Sequence, residues 1–421
     1  METAIPTGEN TQQVRPLGSK LELGCVFLVL LGSWDANLPS PLSKAITVVA
    51  YGILPLLIIR RWKPCIYVAT RDISLLLLVG TAIISIFWSA APENTIDVSK
   101  GMLRSTLLGI YLAVRYSPRE QMRLLLWLFG IVALLSLAVA IAIPSYGIAM
   151  TNGEPSWQGI LLHKQYLGRM MALGAVLFLL TALNNQRRRW VIWAGFSLTV
   201  ALILLSRSKT SLVLSVLSLL LLPTFKVVRQ NYKLRVILLI ITLGVSFTLI
   251  SLVLANWTTL LVDILGKDES LNGRIPIWTL CIQKGLERPW LGYGYYGFWP
   301  SDAGQDIILN SWASDEALGR TDFHSHNGFL EIFLQLGWLG LSLFTLNFMS
   351  VLLRVFNLML STRTIESFWM FEYLTLMLLF NYTETQTFLS FSSMWSVYVS
   401  ISLSTVIWQK RIRKKATTLP T

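Results

Sequence analysis

"RYSPREQMRLLLWLFGIVALLSLAVAIAIP", residues 115–144, sets a basic, polar start against an uncharged apolar run over 124–143. A helix needs about 20 such residues to cross the hydrocarbon core of a bilayer. The run is apolar on every face, as a helix surrounded by lipid or by other helices should be. Working outward, the same alternation of basic stretch and apolar run repeats in both directions. Hydropathy places spans near 21–34, 44–59, 73–89, 96–114, 124–143, 162–183, 190–206, 209–225, 236–255, 327–352, 367–383 and 387–408. Charged residues make up 14% of the chain, against roughly 25% in soluble domains. The composition therefore predicts an all-α integral membrane protein of about twelve transmembrane helices and excludes a soluble globular enzyme.

Sidedness follows from Lys and Arg. "RRWKPCIYVATR", "RYSPREQMR", "QRRRW", "KVVRQNYKLR", the Arg354–Arg363 turn and the tail "QKRIRKK" all fall on one side of a twelve-span chain. That side carries a net +16 and the other −3, within a total of +13. By the positive-inside rule both termini are cytoplasmic. The net charge reports topology, and nothing points to nucleic acid, which would call for a basic stripe on a soluble domain. The expected organisation is a cytoplasmic tail over 1–20, spans one to nine over 21–255, a long outer loop over 256–326, three further spans over 327–408 and a basic tail over 409–421. The polar first 20 residues show no cleaved-leader pattern. Cys25, Cys65 and Cys281 have neither metal-site nor disulfide spacing.

The informative cations are those on the outer side. They are Lys44, Lys100, Arg104, Lys164, Arg169, Arg207, Lys209, Lys267, Arg274, Lys284, Arg288 and Arg320, and all three histidines lie on that side with them. Charges at or within spans usually face a cavity and mark a functional site. "SRSKTS" (206–211) sets Arg207 and Lys209 among hydroxyls at a turn between spans. Snorkelling to lipid headgroups would explain the pair; an anion site would explain it together with the hydroxyls and the free helix-start amides. In "HKQYLGRM", His163 and Lys164 open a span, and Arg169 lies about a turn and a half deeper, facing an internal polar cavity. Lys100 and Arg104 share a face of the fourth span.

Inside the long loop, "SLNGRIPIWTLCIQKGLERPWLG" reads as one helix, capped by Asn272 or Gly273, with Arg274 at its start and Gly292 after its end. Its apolar face, with Ile277, Leu280 and Cys281, suits the membrane plane. "LGYGYYGFWP" follows, where Tyr293, Tyr295, Tyr296, Phe298 and Trp299 serve either as interfacial anchors or as stacking platforms for sugar rings. "DFHSHN" (322–327) then enters the tenth span. His324 and His326 can be solvated loop residues, metal ligands with Asp322, or a general base at the mouth of a cavity. Imidazole suits the last role because it exchanges protons near neutral pH.

These segments resemble the O-antigen ligase and O-antigen/exopolysaccharide polymerase superfamily. Its ligase pattern is His, then Asn, Ser or Gln, nine residues, Gly, two residues, Gly, then Thr or Tyr. His326, Asn327, Gly337 and Gly340 match it, and Leu341 departs from it. "HKQYLGRMMALGA", "SRSKTSL" and "GYGYYGFW" are similar to the corresponding segments of polymerase-type members, so the resemblance covers roughly residues 100–345.

The resemblance implies a GT-C-like glycosyltransferase in the bacterial inner membrane, with its active site facing the periplasm. Its donor would be an oligosaccharide on undecaprenyl diphosphate, and its acceptor a sugar hydroxyl on another lipid-linked repeat. Inversion at the anomeric carbon, no cofactor and no metal are implied. His326 matches the family's proposed base, and Arg207 and Arg274 match its diphosphate-contacting arginines. His163, Lys164, Arg169, Lys209, His324, Asn327, Lys100, Arg104, Tyr293 and Tyr295 are the expected substrate-binding residues. A chain-length regulator and a flippase are the expected protein partners. The alternatives are an O-antigen ligase acting on lipid A–core, and a transporter of a small anion such as bicarbonate. A transporter calls for inverted repeats and helices broken at the midplane, and the sequence shows no such symmetry.

Overall fold

Caps and prolines set where the helices begin. Ser117 and Glu120 close a capping box ahead of Pro118 and start α6 (Pro118–Ala142), which satisfies first-turn amides that no helix can pair internally. Pro92 opens α5 (Pro92–Arg115) in the position where its missing N–H costs nothing. The computed structural model describes residues 17–33, 40–151, 153–184, 189–228, 273–314, 323–383, 389–390 and 392–417, with isolated positions between 230 and 241. Before α5 stand α1 (Leu17–Gly32), α2 (Ser40–Arg60), α3 (Trp62–Ala69) and α4 (Ile73–Ile84). After α6 come the single turn α7 (Pro144–Gly147), the strands β1 (Ile148–Thr151) and β2 (Glu154–Trp157), α8 (Lys164–Asn184), α9 (Arg189–Leu205) and α10 (Lys209–Val228). The long-loop region holds α11 (Arg274–Glu287) and α12 (Asp302–Leu309). The chain then forms α13 (Gly328–Thr362), α14 (Ile365–Thr383) and α15 (Ser393–Thr417).

Among the described residues the protein is all-α apart from one small hairpin. A helix stands at every predicted span position except 236–255, most of which lies outside the described residues. Among the described residues α6, α8 and α13 are long and apolar enough to cross a membrane, and the α2–α3 pair makes a fourth if its 89° bend belongs to one span. Three or four is what length and composition establish, and the count of twelve remains a proposal.

Three local expectations change. "RRWKPCIYVATR", left between two predicted spans, forms α3, which turns 89° away from α2, burying Cys65 and Val68 and exposing Trp62, Ile66 and Tyr67. The stretch after α6 folds into an antiparallel hairpin with Thr151 opposite Glu154. The loop helix stops at Glu287, short of Gly292. Its Ile277 and Cys281 pack on Tyr293, Phe298, Trp299 and Ile307 instead of facing lipid.

α8 lies along α9, α5 along α15, and α13 along both α14 and α4. Gly109 lets α5 and α15 meet closely, since a Cβ there would strike Ser396 and Val399. Polar contacts sort into two ends. At one end Arg115 donates to Glu22 at 2.9 Å, and Arg354 donates to the buried Asp72 at 2.5 Å. Burial raises the Asp72 carboxyl, but Arg354, Ser402 and Ser74 outweigh it and hold the group below the ordinary carboxylate range. At the other end the Trp88 indole donates to the Leu291 carbonyl, the Ser393 amide to the Ser33 carbonyl, and Arg207 pairs with Glu154.

Candidate functional site

The site begins with a broken helix. Gly337 sits inside α13 at φ 61, ψ −161, a region that only glycine occupies without strain. The break frees backbone groups that the loop after α11 takes up. Trp338 N–H donates to the Pro289 carbonyl at 2.7 Å, Leu339 N–H to Trp290 at 3.2 Å, and Tyr293 N–H to the Leu334 carbonyl at 2.9 Å. The loop beyond is held against the α4–α5 connection. Ser85 Oγ accepts from the Tyr295 amide at 2.9 Å, Thr95 donates to the Tyr295 carbonyl and Asn94 to the Tyr296 carbonyl.

Above the break, Asn327 caps α13, its Oδ1 accepting from Phe329 and Leu330 amides at 3.1 and 3.2 Å. His326 precedes the cap at φ 55, a backbone state uncommon outside glycine. Its ring lies 4.2 Å from that of His324, centroid to centroid. Ser325, between them, is fully buried. The Glu331 carboxylate accepts from the Ser325 amide at 3.1 Å, the Ser325 hydroxyl at 2.9 Å, the Trp299 indole at 2.7 Å and the Gln335 amide at 3.2 Å. The Trp278 indole donates to the Ser325 carbonyl at 2.8 Å. Glu331, Trp299 and Trp278 thus fix the loop that presents both imidazoles. Asp322, proposed as a metal ligand, lies outside the described residues.

A second cluster forms where α8 meets the α9–α10 turn. Gly168 approaches Ser208 and Ser211 too closely for a side chain, which seats "HKQYLGR" on "SRSKTS". Lys164 is in electrostatic range of Arg207, Lys209 and Glu154, and Arg207, at φ 50, pairs with Glu154 of the hairpin. Arg169 is buried, its guanidinium 4.6 Å from the Tyr166 ring. α14 packs on α13, α8 and α10. Arg274 starts α11 directly after Gly273, which is in the left-handed region.

Other predicted residues part company with these. Lys100 is exposed and held by Asp97 at 2.8 Å, whereas Arg104 is buried against the Tyr51 ring at 4.2 Å. Their shared helix face does not give them a shared environment. Tyr293 and Tyr295 are not sugar platforms, because both rings are interior. The Tyr295 hydroxyl donates to the Leu389 carbonyl. The Tyr293 hydroxyl donates at 3.0 Å toward the Lys284 carbonyl and lies 3.1 Å from Glu287; burial first, and then Glu287, push its pKa up to about 12. Sequence reasoning passed over Glu331 and Glu154. The available signal for Glu331 was a lone acid in the first turn of an apolar helix. Glu154 follows a turn at Gly153.

The described residues thus form an apolar helical bundle that carries a cation cluster and a histidine loop. Residues 194–345 match the family model described as O-Antigen ligase. It is 26% identical over 279 residues to the exopolysaccharide production protein ExoQ of Rhizobium meliloti, covering 63% of this chain and 61% of that protein. It is 29% identical over 131 residues to a protein named as a polysaccharide ligase in Rickettsia prowazekii, covering 31% of this chain and 32% of that one. The chain therefore spans about three fifths of the first relative's length and about a third of the second's. The matched segment contains Arg207, Lys209, Arg274, His326, Asn327, Gly337 and Gly340.

Proposed function

We propose that this protein is a polysaccharide polymerase of a bacterial inner membrane, transferring an oligosaccharide from a lipid diphosphate to a sugar hydroxyl at the periplasmic face. One observation carries the reading: Lys164, Arg207 and Lys209 gather at the same end of the bundle as the fixed His324–His326 loop. In the proposed step the acceptor oxygen attacks the anomeric carbon and the bond from that carbon to the diphosphate oxygen breaks. The electron pair leaves with the lipid diphosphate, and the hydroxyl proton passes to His326. Arg207, Lys209, Lys164 and Arg274 would meet the charge that develops on the leaving group, where each such donor is worth about 2.7–4 kcal/mol. A lipid-linked glycan donor and acceptor are the implied partners, with a chain-length regulator and a flippase as further expectations.

The two-ended sorting of contacts supports the twelve-span topology with cytoplasmic termini. Segments assigned to the same side by charge touch one another, as Glu22 with Arg115 and Asp72 with Arg354 do at one end. The departure at Leu341 and the "HKQ" segment favour polymerase over ligase. A transporter would break helices to line a passage; the break at Gly337 is filled by the backbone of residues 289–293. The test is incubation of the purified protein with a synthetic lipid-diphosphate repeat in the presence of EDTA. A ladder of products supports the polymerase. Single transfer to a lipid A–core acceptor would replace it with a ligase, and no transfer to either would sink both.

Glu154 neutralises Arg207 in the absence of substrate. The pair is largely exposed, and such pairs contribute about 0–1 kcal/mol. Glu154→Gln is therefore expected to lower the KM for the lipid-diphosphate donor by up to about fivefold with kcat nearly unchanged. Steady-state kinetics over a donor series check this. An unchanged or raised KM would mean that Glu154 does not compete with the diphosphate for Arg207.

A further inference from the structure

At the end of the bundle opposite the histidines, a groove of about 1110 Å³ runs between α6, α8, α9, α10 and α14. Pockets for drug-sized ligands are typically about 300–1,000 Å³, so this one has room for hydrocarbon chains. Its walls are apolar, with Trp127, Phe178, Leu198 and Phe225 among them. Its mouth carries Arg119, Arg123 and Arg363, against one carboxylate, Glu366. All three arginines are exposed. Arg363 is held at the mouth by a left-handed backbone at the end of α13. Among the described residues no carboxylate forms an ion pair with any of the three. Asn184 also lines the groove.

An apolar channel with exposed cations at its mouth is complementary to an amphiphile with a negative head. We propose that this groove binds an anionic phospholipid of the bilayer, its phosphate at Arg119, Arg123 and Arg363 and its acyl chains along Trp127, Phe178 and Phe225. Basic pockets between membrane helices recognise anionic headgroups in this way. Arginine suits the role because its planar fork binds phosphate oxygens in pairs. A zwitterionic lipid fits the same walls but gains less at the mouth, so the groove selects by headgroup. The site is separate from the proposed catalytic residues and does not depend on their assignment.

The test is native mass spectrometry of the full chain in detergent, with phosphatidylglycerol or phosphatidylethanolamine of identical acyl chains added in turn. The wild type is expected to retain phosphatidylglycerol preferentially. The Arg119→Gln/Arg123→Gln/Arg363→Gln variant is expected to bind it roughly 10–100-fold more weakly, because each basic group at a lipid surface adds to anionic-lipid affinity. These side chains are exposed, so the fold should tolerate the change, and a melting curve checks that it does. Arg60→Gln/Lys63→Gln/Arg71→Gln alters exposed cations outside the groove and should leave the preference intact. Leu198→Trp fills the apolar wall and should lower retention of both lipids. Equal retention of the two lipids by the wild type, an equal loss in the control triple, or unaltered binding in Leu198→Trp would overturn the site.

Discussion

His326→Ala is expected to abolish measurable polymer synthesis while protein yield and melting temperature stay at the wild-type level. The expected loss is about 10²–10⁴-fold, the usual contribution of a positioned general base. The fold should survive because several other contacts hold the loop. Ser325 is tied to Glu331 through two hydrogen bonds, Trp278 holds its carbonyl, and Asn327 supplies the helix cap. The residue sits at φ 55, and a histidine and an alanine both meet that steric cost, so the exchange adds little strain. His324→Ala is the instructive companion. It removes the ring that lies 4.2 Å from His326 without removing the proposed base, and a smaller loss of about tenfold or less is expected if it only orients its neighbour. The measurement is initial rate with a synthetic lipid-diphosphate donor. Near-normal rates in His326→Ala would remove the base from the mechanism, and a larger loss in His324→Ala than in His326→Ala would reverse the two roles.

What the sequence made legible was what local pattern dictates. Apolar runs placed the helices because a bilayer demands length and uniform hydrophobicity. The distribution of Lys and Arg proposed two sides, an assignment that rests on charge alone. Gly273 could be read as a helix start because few residues other than glycine accept its left-handed backbone. The misreadings come from tertiary contacts. Aromatics between glycines look like a stacking surface, yet Tyr295 is interior because Ser85, Thr95 and Leu389, distant in sequence, surround it. Lys100 and Arg104 are four apart on one helix, and only the neighbouring Tyr51 ring separates their environments. Glu331 holds the histidine loop together through partners drawn from residues 299, 325 and 335. No spacing rule connects those positions, so its role needed the fold.

Gly337→Ala should cost more stability than any other single methyl group added to α13. At φ 61, ψ −161 an alanine meets backbone strain of about 1–3 kcal/mol. Its Cβ would also overlap the backbone of Trp290, and backbone, unlike the end of a flexible side chain, cannot step aside. Relief requires residues 289–291 to withdraw, which breaks the bonds from Trp338 to Pro289 and from Leu339 to Trp290. Each buried polar group left unpaired costs about 1–3 kcal/mol. The loop that would be displaced leads into the Tyr293–Trp299 segment, and Trp299 is one of the groups that holds Glu331. The damage should therefore reach the histidine loop, lowering activity as well as stability. Gly80→Ala is the matched control. It lies within α4 with no atom near the new Cβ, and the higher helix propensity of alanine predicts a neutral or stabilising change of up to about 1 kcal/mol. Melting curves in detergent for the pair separate the two cases. A Gly337→Ala protein that melts with the wild type would mean that the break in α13 is not held by the loop, and the link between the glycine of the motif and the presentation of His326 would fall with it.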